Sequence, residues 1–109
     1  MKKINVLGTE WTIRSGTPQE YPMLEDCGGY TDKTTREIVV ASEPTDNELG
    51  DFDAYSRKVL RHEIIHAFLF ESGLHENWEH QCGHDETYVD WIAAQFPKLL
   101  KAFEEADAL

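Results

Sequence analysis

The chain has 109 residues, 40% hydrophobic and 11% aromatic, with 21 Asp and Glu against 10 Lys and Arg. That length suits one domain over residues 1–109 and excludes a catalytic domain joined to a sizeable second one, while the composition excludes wholesale disorder despite the net charge of −11. So negative a chain, with no basic cluster, is expected to bind neither nucleic acid nor an anionic membrane surface.

The opening MKKINVLGTEWTI lacks the uninterrupted apolar segment and small-residue cleavage site of a signal peptide, and no later run is long enough for a transmembrane helix. A cytoplasmic protein is expected. INVLGTEWTI and the β-branched run REIVVA carry strand signals. Gly16, Pro18, Pro22, Gly28 and Gly29 punctuate loops between them, with one more short strand around Cys27 to Tyr30. Ser42 to Asp53 is a polar connection into a helix, where Thr45 with Glu48 fits a capping box and Asp51 is a second possible cap. The helix runs to Ser72 and stops at Gly73. Tyr55, Val59, His62 and His66 share one of its sides, and Ile65, Phe68 and Leu69 add apolar surface, so it reads as central and largely buried.

Leu74 to Gly83 reads as a loop around Trp78. A second helix fits Asp85 to Phe96, with Val89, Ile92, Ala93 and Phe96 at helical spacing. Pro97 breaks or restarts it, and KLLKAFEEADAL follows as an amphipathic terminal helix. The predicted class is α+β: a small antiparallel or mixed sheet of about three strands packed on a central helix, then a second helix and a C-terminal one. Trp11, Trp78 and Trp91 read as core or core-edge residues. Cys27 and Cys82, without an export signal or a C-x-x-C pair, are expected to be reduced thiols.

The chemistry concentrates in VLRHEIIHAFLF. On a helix, His62 and His66 lie four positions apart on one face and can converge on one zinc ion, with Glu63 beside them as general base for a water molecule. Zinc with catalytic character needs a third protein ligand, and Glu86 supplies it. Nineteen residues separate it from His66, enough for the first helix to end and a second to return across it. Asp90 lies one turn further on the same face, where it could accept a hydrogen bond from the non-coordinating nitrogen of a ligand histidine. His75, His80 and His84 could form an accessory metal site, although irregular spacing in a polar loop favours solvated side chains.

With these residues in hand, the chain resembles the gluzincins, whose thermolysin-type members carry HExxH, a glutamate about twenty positions on and an aspartate four residues later. His62, Glu63, His66, Glu86 and Asp90 fit that order. ETYVDWIA is also similar to the second-helix signature of compact ImmA/IrrE-type metallopeptidases of phages and mobile elements, which place a short sheet before the HExxH helix. The resemblance covers roughly residues 55 to 95. It does not extend to the metzincins, which would require a glycine and a histidine where this chain has Leu69 and Ser72. Nor is there room for the helical domain with which thermolysin-like enzymes polarise the scissile carbonyl. Tyr30, His75, His80, His84 and Tyr88 are the local candidates for that task.

The expected function is zinc-dependent peptide-bond hydrolysis, with one zinc per chain held by His62, His66 and Glu86, Glu63 as base and a peptide or protein as substrate. Ile38 to Ala41 is the sequence's best candidate for an exposed strand edge that would hold the substrate by main-chain hydrogen bonds. A competing expectation is a non-catalytic zinc-bearing regulatory or protein-binding module of a phage or mobile element. Glu63 argues against it, since a structural zinc needs no base and is normally closed by four protein ligands. A metal-free α+β interaction protein is the third possibility.

Overall fold

Alternation of apolar and polar residues builds the N-terminal half. The structure, a computed structural model, describes residues 1–44, 50–74 and 84–109. Its strands are β1 (Lys2–Val6), β2 (Thr9–Gly16), β3 (Gly29–Asp32) and β4 (Glu37–Ala41), in the spatial order β1-β2-β4-β3. The sheet is mixed: β1 and β3 run antiparallel to their neighbours, and β2 and β4 run parallel. The expected three strands become four because INVLGTEWTI folds back on itself. Leu7 and Gly8 both take positive φ (52° and 93°) and form a two-residue turn, and the Gly8 N–H donates to Asn5 Oδ1 at 2.8 Å.

Trp11, Ile13, Ile38 and Val40 share one face of the sheet with Val6 and form the main core against Ala67 of the first helix. Val39 and Ala41 point the other way and pack on Leu24 of a short 3₁₀ turn, Pro22–Glu25, with Tyr21 and Tyr30 beside them. β4 is therefore buried on both faces between two partners. Its continuous apolar run reflects that interior position, which corrects the expectation that Ile38 to Ala41 is an exposed edge. The edge strands are β1 and β3, open among the described residues.

Helix α1 (Phe52–Ser72) crosses the core face of the sheet. Asp51 caps its start, accepting from the Ala54 N–H at 3.0 Å, and Gly73 ends it in the left-handed region (φ 85°). The Thr45–Glu48 capping box lies outside the described residues. α1 is held against the sheet at several points. At its C-terminal end, Glu71 Oε1 accepts from Trp11 Nε1 (2.8 Å) and Arg36 Nε (3.1 Å). Nearer its middle the approach to β3 is close because Gly29 has no side chain: a Cβ there would lie 2.9 Å from Val59 Cγ1 and 3.0 Å from the Val39 carbonyl oxygen. α1 is less buried than its sequence implies, since only Glu63, His66 and Ala67 are buried. It lies over the sheet as a surface layer.

Helix α2 (Glu86–Glu105) starts at Asp85, whose side chain accepts from the Thr87 N–H at 2.7 Å, and packs on α1 through Val89 and Ala93. It is one continuous helix where two were expected, with Pro97 inside it. Proline removes the N–H that would bond the carbonyl four residues back, that of Ala93. Arg61 of α1 supplies the missing donor, its Nε lying 2.7 Å from the Ala93 oxygen. A neighbour on the other helix therefore compensates what the local sequence forbids. Trp91, expected in the core or at its edge, is 54% exposed, whereas Trp11 is 1% exposed. Trp78 lies outside the described residues. Among the described residues no helix is long and apolar enough to cross a membrane.

Candidate metal centre

The four-residue spacing of His62 and His66 on α1 turns both imidazoles toward the first turn of α2, where Glu86 stands. The two Nε2 atoms are 3.1 Å apart. Glu86 reaches both, with Oε2 at 3.3 Å from His62 Nε2 and Oε1 at 2.6 Å from His66 Nε2. Among the described residues these three are the group of His, Cys, Asp and Glu that could hold a metal ion. The expected ligand set thus meets at one point.

Both imidazoles are also held from behind. His62 Nδ1 lies 3.2 Å from Asp90 Oδ1, so the imidazole can donate there and keep Nε2 as a lone-pair donor. Asp90 is itself paired with Lys58, one turn before His62 on α1. That hydrogen bond is the main reason its carboxyl sits below the ordinary carboxylate range. His66 Nδ1 faces His84 Nε2 at hydrogen-bond distance. Burial lowers the His66 pKa to about 4, which leaves its ring neutral near pH 7. Two imidazoles and the carboxyl group of a glutamate are a zinc donor set. Their 3.1 and 3.3 Å spacings also fit the edge of about 3.3 Å expected of a tetrahedron with zinc bonds near 2.0–2.1 Å. The 2.6 Å spacing is tighter, and Glu86, with a side chain 70% exposed, has room to adjust.

Glu63 is 7% exposed. Its Oε1 accepts a hydrogen bond from Thr31 Oγ1 of β3 at 2.7 Å. Burial pushes the carboxyl above its ordinary pKa, while the Thr31 hydrogen bond and His62 pull it back and Glu86 adds to the rise. Beside the cluster, a recess of about 180 Å³ is lined by Tyr55, Lys58, Val59, His62, Glu63 and Asp90.

The structure separates the residues considered for carbonyl polarisation. Tyr30 packs beside Leu24, Val39 and Ala41 on the sheet face opposite α1, away from the cluster. Tyr88 is 65% exposed on α2. His84 backs His66, and His75 and His80 lie outside the described residues, as does Cys82. Cys27 is exposed, with its thiol 3.2 Å from the Met23 carbonyl oxygen. Lys58 and Thr31 were not anticipated. Lys58 carried a weak signal, since it precedes His62 by one turn. Thr31 carried none, because its role depends on a strand 32 positions away in sequence from Glu63. Comparison of the chain with protein-family models, curated proteins and solved structures finds no match.

Proposed function

We propose that this chain is a minimal zinc-dependent peptidase of the gluzincin type, with His62, His66 and Glu86 as ligands and Glu63 as general base. One observation carries the reading: two imidazoles, each with its Nδ1 already engaged, present Nε2 to the same point as a carboxylate, with a buried glutamate next in the chain. Bound zinc would supply a Lewis acid that lowers the pKa of a water molecule and polarises a carbonyl. Glu63 would take the water's proton and pass it to the leaving amine. Asp90 and His84 would keep the imidazoles oriented, and Lys58 would keep Asp90 ionised. Three protein donors converge among the described residues, the number that catalytic zinc sites use.

The open edge of β3 is the place for an extended peptide. The Ala41 N–H donates to the Gly28 carbonyl at 2.9 Å, which makes that pair hydrogen-bonded, as is every second pair along an antiparallel ladder. Gly29 and Thr31 therefore turn their main-chain groups outward; the Gly29 N–H already meets the Cys27 thiol, and the N–H and C=O of Thr31 would pair with a substrate strand.

The competing reading, a zinc-bearing binding module, draws support from an apolar groove of about 370 Å³ between the helices, lined by Arg61, Ile64, Ile65, Phe68 and Phe96. Glu63→Gln separates the two. The variant should keep its zinc and lose about 10²–10⁴-fold in the hydrolysis of any peptide that the parent cleaves. Undiminished cleavage would remove Glu63 from the mechanism, and a zinc-loaded parent inert toward diverse peptide mixtures would favour the binding module.

A further inference from the structure

We infer that Thr31 is the positioning residue of the general base, so that strand β3 both presents the open edge and aims Glu63. The inference rests on the reading of Glu63 as that base. A carboxylate as buried as Glu63 is costly without a partner, and the hydroxyl of Thr31 is its hydrogen-bond donor, 2.7 Å from Oε1. The same hydroxyl lies 3.1 Å from the Glu63 carbonyl oxygen, the longer and weaker of its two contacts.

The placement follows from the strand. Register sets Thr31 opposite Ile38, whose side chain belongs to the core under α1, so the Thr31 side chain also faces the helix while its main chain faces the open edge. A β-branched side chain has few χ1 choices, so the hydroxyl is held in direction. The absence of a side chain at Gly29 lets α1 come close enough for the bond. Thr31 engages Oε1, and among the described residues Oε2 has no hydrogen-bond partner. That leaves one carboxylate oxygen to receive a proton while the other is fixed.

The test compares Thr31→Val, which keeps the shape and removes the donor, with Thr31→Ser, which keeps the donor, in the full chain with zinc supplied. Zinc content should be unchanged in both. On a peptide that the parent cleaves, Thr31→Val should lose about 10–100-fold in kcat with KM nearly constant, and Thr31→Ser should recover most of the loss. In the metal-free protein, the Glu63 side-chain carboxyl ¹³C resonance should move in Thr31→Val and return in Thr31→Ser. If Thr31→Val does not fold, Thr31→Cys, of similar size but a weak donor, should show the same losses. Wild-type kcat in Thr31→Val, or a loss confined to KM, would overturn the inference. If the zinc-loaded parent cleaves nothing, the hydrolytic reading fails by itself. The resonance then decides whether Thr31 holds Glu63, and an unmoved resonance overturns that too.

Discussion

The two helices that meet at the candidate centre are held in different ways. α1 is clamped: Ala67 is fully buried in the core, Glu71 is tied to Trp11 and Arg36, and Asp51 and Gly73 close its ends. α2 is buried only at Val89 and Ala93, and it leaves Trp91, Phe96 and Phe103 exposed. His62, His66 and Glu63 therefore stand on the framework, whereas Glu86 and Asp90 stand on the more loosely held element. Part of the proposed ligand set is therefore preorganised and the rest could adjust to an ion, which in turn would stabilise the state that binds it.

The widest test of this asymmetry uses the two described tryptophans. Trp11→Ala removes a buried ring from the clamped half and should cost about 3–5 kcal/mol in denaturant unfolding, whereas Trp91→Ala should change stability by about 0.5 kcal/mol or less. Equal losses would break the comparison. A finer test addresses the bond that joins the halves. Arg61→Met leaves the Ala93 carbonyl without its donor and should cost about 1–3 kcal/mol. In a Pro97→Ala background the helix regains its own N–H, and the same change should cost much less. An undiminished cost there would mean that Arg61 acts by packing alone.

What the sequence revealed and what it hid divide along physical lines. Short-range chemistry was legible: the His62 and His66 spacing, the cap at Asp51, the stop at Gly73, and Glu86 with Asp90 one turn apart. What depends on a distant partner was not. Pro97 reads locally as a break, and only Arg61 on another helix explains why α2 continues. INVLGTEWTI alternates well enough for one strand, and the turn at Leu7 and Gly8 hides because leucine rarely takes positive φ. The run at Ile38 to Ala41 does not by itself distinguish edge from interior. Thr31 becomes meaningful only once β3 lies beside α1.

We propose that His62, His66 and Glu86 together hold one zinc ion. Elemental analysis of protein purified without affinity metals or chelators, with zinc supplied and excess removed, tests it most directly beside Glu86→Ala. The account predicts close to one zinc per chain in the parent and little in the variant. No zinc in the parent, or equal zinc in both proteins, would contradict it.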